Sequence, residues 1–195
     1  MNKLVIASNN PGKLREFRQL LAPLGIELVT QAELGIAEAE EPHHTFVENA
    51  LAKARHVSRA TGLPALADDS GLCVEALKGM PGVLSARFSG LPKSDERNNR
   101  ALLEAMRQHD DRRAHYYCVL VLMRWAGDPE PLIAEGIWRG EVARAPRGEG
   151  GFGYDPLFWL PSLSKTAAEL THDEKHAISH RGQAMQALLA RLRAV

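Results

Sequence analysis

The stretch "VIASNNPGKLREF", residues 5–17, joins a short apolar segment to an amphipathic one through a run of polar residues. The apolar segment, "KLVIAS", has the aliphatic and β-branched composition of a buried strand. Beyond the junction, apolar residues recur at helical spacing, at Leu14, Phe17, Leu21 and Leu24. Gly25 follows, as is typical of a helix end. The pattern therefore predicts a strand followed by a helix, the unit from which α/β folds are built.

Similar patterns continue along the chain. "IELVTQ" (26–31) predicts a strand, and Thr45 with Glu48 forms a capping-box pattern for a helix that extends to about Thr61. "PALADDSGLCVEAL" (64–77) predicts a strand, an acidic turn and a second strand. A third helix is predicted from about Ser94 to Gln108.

The C-terminal half contains the two clearest strands, "AHYYCVLVLMRWA" (114–126) and "PLIAEGIWRGEVA" (131–143). A glycine-rich loop, "PRGEGGFGYDPLF" (146–158), comes next. A final helix presents one apolar face, made by Met185, Leu188, Leu189 and Leu192. In some places strands and helices alternate, and in others two strands follow one another. This mixture predicts an α/β fold with a mixed sheet. No linker divides residues 1–195, which are expected to form one domain.

The composition narrows the classes of partner. Lys plus Arg (24) equals Asp plus Glu (24) in the 195 residues, and a formal net charge of zero argues against nucleic acid and anionic membranes as partners. The two cysteines, Cys73 and Cys118, lie in apolar runs and are expected to be buried, reduced thiols. No signal-peptide pattern follows Met1, and the longest apolar run, "CVLVLM", is too short to span a bilayer. We expect a cytoplasmic protein.

The opening loop is the first candidate site. Ser8, Asn9 and Asn10 precede a helix start and Lys13, and free N–H groups, a helix dipole and an ammonium group together suit a phosphate. The loop is not a Walker A motif, which needs an earlier glycine and a Ser or Thr after Gly-Lys. An ordinary turn with an Asn cap and a solvated lysine explains the same residues equally well.

The acidic pair Asp68-Asp69 is the second candidate. It follows an apolar run at the predicted end of a strand, where two carboxylates suit a hard cation and one of them could deprotonate water. A turn cap is the alternative. Glu38, Glu40 and Glu41 could complete a metal site, although a solvated loop is the simpler explanation. By itself Lys53, on the second predicted helix, indicates only an exposed lysine.

The segment "GEGGFG", residues 148–153, matches the G-x-G-x-x-G pattern of dinucleotide-binding folds. No helix follows it, which excludes that interpretation. The segment could instead bind a planar base. Its glycines allow close backbone approach, Phe152 offers a stacking face and Asp155 offers a hydrogen-bond acceptor. A simple hairpin turn fits equally well.

Histidines at 172, 176 and 180 have helical spacing, but the HExxH glutamate is missing and a zinc site is a weak interpretation. Donor side chains before the last helix are a stronger signal: Lys175, Ser179, His180 and Arg181. Ser70 lacks the G-x-S-x-G context of an acyl-transfer nucleophile.

Five motifs, "SNNPGK", "ADDSGL", "PGVLSARFSG", "GGFGYDPLF" and "SHRGQA", resemble in order and spacing those of the inosine triphosphate pyrophosphatase family. The resemblance covers residues 5 to about 190. It implies an elongated, two-lobed α/β domain with a nucleotide cleft between the lobes, a homodimer and Mg²⁺. It also implies hydrolysis of ITP, dITP or XTP to the monophosphate and pyrophosphate.

The resemblance also implies a role for each matching residue. Asp69 would be the general base and a metal ligand, supported by Asp68 and by Glu40 or Glu41, while Ser70 would touch the substrate. The residues expected to hold the phosphates are Ser8, Asn9, Asn10, Lys13 and Lys53. Those expected around the base are Phe152, Gly153, Tyr154, Asp155, Lys175, His180 and Arg181.

Two other classes of function remain open from the residues. A sensor could bind a purine nucleotide without cleaving it, although two carboxylates beside a triphosphate repel it unless a metal bridges them. An RNA-binding module could stack bases on Phe152 and Tyr154, but the zero net charge and the lack of a basic stripe disfavour it.

Overall fold

The computed structural model of the chain describes residues 2–192. Its helices, in chain order, are α1 (Pro11–Leu21), α2 (Phe46–Thr61), α3 (Asp95–Ala105), α4 (His172–Ile178) and α5 (His180–Leu192). Its strands are β1 (Lys3–Ile6), β2 (Glu27–Thr30), β3 (Ala65–Val74), β4 (Arg113–Met123), β5 (Leu132–Val142), β6 (Phe158–Leu160) and β7 (Lys165–Thr166).

All seven strands form one sheet in the order β2-β1-β3-β4-β5-β6-β7. β1 pairs in parallel with both β2 and β3, whereas β6 pairs antiparallel with β5 and with β7. These pairs confirm the predicted α/β fold with a mixed sheet. Parallel neighbours require a crossover connection, and α1 and α2 provide those connections.

Local capping fixes the helix ends that the sequence predicted. The Thr45 side chain accepts a hydrogen bond from the backbone N–H of Glu48 at the start of α2, and Gly62, with φ of 68°, ends that helix. A short 3-10 segment extends α1 to Leu24, and Gly25 then adopts the left-handed conformation. The capping predictions for α1 and α2 are therefore confirmed.

The C-terminal part differs from the prediction in two ways. The short strands β6 and β7 were not predicted. The segment that contains Lys175 also forms a separate seven-residue helix, α4, before α5. Ser179 breaks the helix with an extended ψ of 159°. Because of that break, His172, His176 and His180 do not share one continuous helix.

The chain divides into two compact units. Unit 1 comprises the residues up to Asp69, residues 118–136 and the residues from Arg181 onward; unit 2 comprises residues 70–117 and 137–180. In unit 1 the apolar core includes Phe17, Leu21, Leu66, Leu120, Met185 and Leu188. In unit 2 it includes Leu72, Leu102, Tyr116, Trp138, Tyr154 and Phe158. No helix within residues 2–192 has the length and apolar character needed to cross a membrane.

Candidate active site

The acidic pair lies inside a strand. Asp68 and Asp69 were predicted at a turn between two strands, but β3 runs unbroken from Ala65 to Val74 and both carboxylates are buried, so that prediction was wrong. A buried charge is tolerated where cations and hydrogen-bond donors surround it. Adjacent strand residues point to opposite faces of a sheet, and the two carboxylates accordingly contact different groups.

Asp68 lies in a buried ion-pair network of unit 1. Its Oδ2 is 3.0 Å from Lys13 Nζ and 3.1 Å from Arg181 Nη2, and Arg181 also forms an ion pair with Glu16. Burial alone would raise the pKa of Asp68, but Lys13 and Arg181 outweigh it and hold that pKa well below its usual range. Asp68 is therefore a fixed anion that orients Lys13.

Asp69 contacts residues of α2 in unit 1. Lys53 Nζ is 3.1 Å from Asp69 Oδ1, and Asn49 Nδ2 donates to Asp69 Oδ2 at 3.3 Å. Burial raises the pKa of Asp69, although Lys53 and Lys13 act in the opposite direction. A carboxylate with a raised pKa accepts a proton more readily, as a general base must.

Lys53 is held between two carboxylates. Its Nζ lies 2.6 Å from Glu41 Oε1 in addition to its contact with Asp69. Burial would lower the pKa of Lys53, but the nearby carboxylates, Asp69 first, raise it overall. The prediction that Lys53 is an exposed lysine was therefore wrong, because only 13% of its side chain is exposed.

The same carboxylates are the oxygen donors available for a divalent cation. Asp69 and Glu41 converge on one ammonium group, whereas Glu40 and Glu38 are exposed to solvent. No group of three His, Cys, Asp or Glu residues within residues 2–192 is arranged to hold a metal ion. Two oxygen donors suit Mg²⁺, which keeps several waters and uses one or two carboxylates together with substrate phosphates.

The opening loop contains the predicted asparagine cap. Asn10 caps α1, because its Oδ1 accepts from the N–H groups of Gly12 at 2.9 Å and of Lys13 at 3.1 Å. Ser8 Oγ accepts from Asn10 N at 3.2 Å, and Asn9 is exposed. The Asn cap was thus anticipated correctly, but Lys13 is ion-paired rather than solvated.

The glycine-rich loop of unit 2 is held from within by Asp155. This buried carboxylate accepts from the backbone N–H of Phe152 at 2.8 Å and from Lys175 Nζ at 2.6 Å. Lys175 Nζ also lies 4.7 Å from the centroid of the Phe152 ring. Gly151 is required here, since its φ is +75° and a Cβ would lie 2.0 Å from Asp155 Oδ2. The loop connects antiparallel strands, as the hairpin interpretation predicted.

Gly153 and Tyr154 are held by residues outside the loop. The N–H of Gly153 donates to Asp95 Oδ2 at 2.7 Å, and its carbonyl accepts from Asn99 Nδ2 at 2.8 Å. The Tyr154 hydroxyl donates to the Ser85 carbonyl at 2.8 Å. The loop therefore has a defined shape rather than a freely varying one.

His180 and Arg181 are adjacent in sequence but belong to different units. The His180 ring stacks on Tyr116 of unit 2, with centroids 4.7 Å apart and planes within 8°. Arg181 is buried in unit 1 with Asp68 and Glu16. Ser70, the first residue of unit 2, is half-buried in β3.

Sequence reasoning missed several residues that hold these groups in place: Glu16, Asn49, Asp95, Asn99 and Tyr116. Helical spacing offered a signal for two of them. Glu16 lies three residues after Lys13 on α1, and Asn49 lies four residues before Lys53 on α2. The others act on residues far away in the sequence, which no local pattern reveals.

Comparisons with known proteins cover nearly the whole chain. A sequence profile of the Ham1 family matches residues 4–191. A protein named dITP/XTP pyrophosphatase from Nitrosomonas europaea is 67% identical to this chain, over 98% of this chain and 95% of its own length. Another of that name, from Ralstonia nicotianae, is 65% identical over 99% of this chain and 98% of its own length.

Solved structures agree with this. A HAM1 protein from Coxiella burnetii matches with a TM-score of 0.94 and 49% identity, covering 100% of both chains. The Ham1 protein of Staphylococcus aureus matches with a TM-score of 0.88 and 40% identity over 98% of each chain. The resemblance inferred from the five motifs is thereby confirmed, and the chain belongs to the Ham1 family.

Proposed function

We propose that this chain hydrolyses dITP, ITP and XTP to the nucleoside monophosphate and pyrophosphate. Relatives that are 61–67% identical and named dITP/XTP pyrophosphatase support the reaction class. The observation that carries the proposal is the buried Asp69 carboxylate, whose pKa is raised by burial and which lies 3.1 Å from a lysine ammonium group. A base next to a fixed cation suits attack of water on a phosphoanhydride.

Asp69 is the general base in this mechanism. It accepts the proton of the water that attacks the α-phosphorus, and the bond to the β-phosphate oxygen breaks. Negative charge then develops on the leaving pyrophosphate, where Lys13 and Lys53 stabilise it because both ammonium groups are already held in place by carboxylates. Ser8, Asn9 and Asn10 donate to the distal phosphates.

Mg²⁺ is the proposed cofactor, held by Asp69 and Glu41. Glu41 is chosen over Glu40 because it shares Lys53 with Asp69, whereas Glu40 is exposed. A bound divalent cation lowers the pKa of a water ligand and neutralises phosphate charge. Asp68 supports the proposed metal site indirectly, because it holds Lys13 in place.

The neighbouring acids give a matched test of the metal ligand. Glu41→Gln should raise the Mg²⁺ concentration needed for half-maximal activity by ~10-fold or more, since a ligand charge is lost. Glu40→Gln should leave it unchanged. Equal effects of the two variants would remove Glu41 from the metal site.

The purine base is proposed to contact unit 2, with Ser70 touching the substrate nearby. Phe152 offers a stacking face, and Gly153, Tyr154, Asp155, Lys175 and His180 are the proposed base-side group. Hypoxanthine and xanthine present an oxygen acceptor at position 6, whereas adenine presents an amino donor. A site with fixed donors therefore leaves groups unpaired with ATP. Arg181 is assigned instead to the Asp68 network, because its guanidinium is buried there.

We further propose that the chain forms a single two-lobed domain, that it works as a homodimer and that it acts in the cytoplasm. The zero formal net charge supports free nucleotides rather than nucleic acid as the substrate.

The reaction is tested with dITP and Mg²⁺ in oxygen-18 water. Equal amounts of pyrophosphate and dIMP, with the label in dIMP, are expected because water attacks the α-phosphorus. Label only in pyrophosphate would mean attack at the β-phosphorus, and the assignment of Asp69 would fail. Tight binding of dITP without any product would instead support a nucleotide sensor.

A further inference from the structure

Helix α3 holds the segment "PGVLSARFSG" (81–90). This segment is one of the five motifs, and it has no role in the proposed mechanism. Asn98, which is buried, forms four hydrogen bonds to this segment. Its Oδ1 accepts from both the N–H and the hydroxyl of Ser89 at 2.8 Å, and its Nδ2 donates to the carbonyls of Ser85 and Ala86 at 3.3 and 3.1 Å. A side chain with four such bonds fixes the backbone of this loop.

The same helix holds the glycine-rich loop at Gly153. Asp95 accepts from its N–H and Asn99 donates to its carbonyl, so both polar backbone groups of one residue are bound by side chains one helical turn apart. Asp95 and Gly153 are separated by 58 residues in the sequence. Gly153 has φ of +63°, and without these bonds a glycine at this position could adopt many other conformations.

The two loops also contact each other within unit 2. The Tyr154 hydroxyl donates to the Ser85 carbonyl, which is also an acceptor for Asn98. Gly153 is thus bound directly by α3, and the next residue, Tyr154, is linked to α3 indirectly through the Ser85 carbonyl.

We propose that Asp95, Asn98 and Asn99 form a clamp on one side of α3 that sets base selectivity by holding the Phe152–Asp155 loop in one shape. This inference rests on the proposed function and deepens it. The three clamp residues are positioning residues, since Asp95 and Asn99 act through the peptide groups of Gly153 and Asn98 acts through the 81–90 segment. A rigid loop cannot move to pair with the wrong exocyclic group, whereas a mobile one can adapt to guanine or adenine and relieve the mismatch.

The test compares dITP with dGTP in clamp variants. Asp95→Ala and Asn99→Ala should each lower the ratio of kcat/KM for dITP over dGTP by ~10-fold or more, mainly through a higher KM for dITP, with kcat within ~3-fold of wild type. Asp95→Asn should restore the ratio, because an amide oxygen can accept the same N–H. Glu96→Ala is the matched control, since Glu96 is an exposed acid in the same first turn, paired with Arg100. It removes a similar helix-dipole contribution.

A second readout does not depend on catalysis. Amide hydrogen exchange at Gly153 should be ~10-fold or more faster in Asp95→Ala than in wild type and unchanged in Glu96→Ala, because only the first loses the acceptor. Unchanged exchange in Asp95→Ala would overturn the clamp. So would an unchanged dITP-to-dGTP ratio in both alanine variants, or an equal loss of kcat with both substrates.

Failure of the proposed function gives a different result. A wild-type chain that hydrolyses neither nucleotide refutes that function, and the clamp is then judged from the ratio of dITP and dGTP dissociation constants in the same variants. An unchanged ratio of those constants overturns the clamp by itself.

Discussion

Replacing Arg181 with methionine tests the buried ion-pair network most sharply. The guanidinium lies between Asp68 and Glu16, with Nη2 3.1 Å from Asp68 Oδ2. At that distance the attraction of one unit-charge pair is about 5 kcal/mol for an effective dielectric constant of ~20. Lys13 still neutralises Asp68 at 3.0 Å in the variant, so part of the charge balance survives. We expect a loss of about 3–5 kcal/mol in the free energy of unfolding, as is found when one partner of a buried pair is removed.

Urea unfolding provides the measurement. With a slope of ~2 kcal/mol per molar, the expected loss moves the unfolding midpoint by roughly 2 M. Arg100→Met is the matched control, because Arg100 and its partner Glu96 are exposed and such pairs contribute little. Adding Glu16→Gln to Arg181→Met should recover part of the loss by removing one buried charge. A midpoint for Arg181→Met equal to that of the control would refute the reasoning.

Three further predictions concern single side chains. Asp69→Asn should lower turnover by ~100-fold or more with little change in nucleotide affinity, and near-normal turnover would remove Asp69 from the mechanism. Cys73 is half-buried rather than fully buried as predicted, and this partial burial raises the pKa of its thiol to about 11 from an ordinary 9.0. Iodoacetamide at pH 8 should therefore alkylate it ~100-fold more slowly in the native protein than in urea, with the rate still rising above pH 9; equal native and unfolded rates would contradict this. Tyr116→Leu removes the ring stacked on His180 and should raise the KM for dITP. Tyr116→Phe keeps the ring and loses only the long hydroxyl bond to Asp155 Oδ1 at 3.5 Å, so it should raise the KM less; matching KM values for the two variants would count against the stack.

Local signals predicted those parts of the fold that local interactions fix. Asn10, Thr45 and Gly62 cap helices through contacts within a few residues, and these helix ends lie where their sequence patterns indicate. The short strands β6 and β7 have only three and two residues, too few for a periodic signal. Only Ser179 separates the short helix α4 from α5. The helical spacing of α4 therefore continued into that of α5, and no separate helix was predicted.

The contacts that hold the candidate site residues in place were not predicted from the sequence. Asp68 was assigned to a turn because it follows the apolar run "PALA", where a buried strand was expected to end. The cation that makes the strand possible, Arg181, lies 113 residues away in the sequence. Arg181 itself was expected near the base from the motif resemblance, and its ion pairs with Asp68 and Glu16 were not anticipated. Such pairings depend on which distant segments the fold brings together, and one sequence contains no local sign of them.

Base selectivity is the most direct test of the proposed function. The measurement is kcat/KM of the wild-type chain for dITP, XTP, dGTP and ATP under the same Mg²⁺ concentration. We expect dITP and XTP to exceed dGTP by well over ~10-fold. They should exceed ATP by ~10⁴-fold or more, because donors fixed toward a 6-oxygen are left unpaired by adenine. A value for dGTP or ATP within ~10-fold of that for dITP, a difference of only about 1.4 kcal/mol in transition-state free energy, would contradict the account.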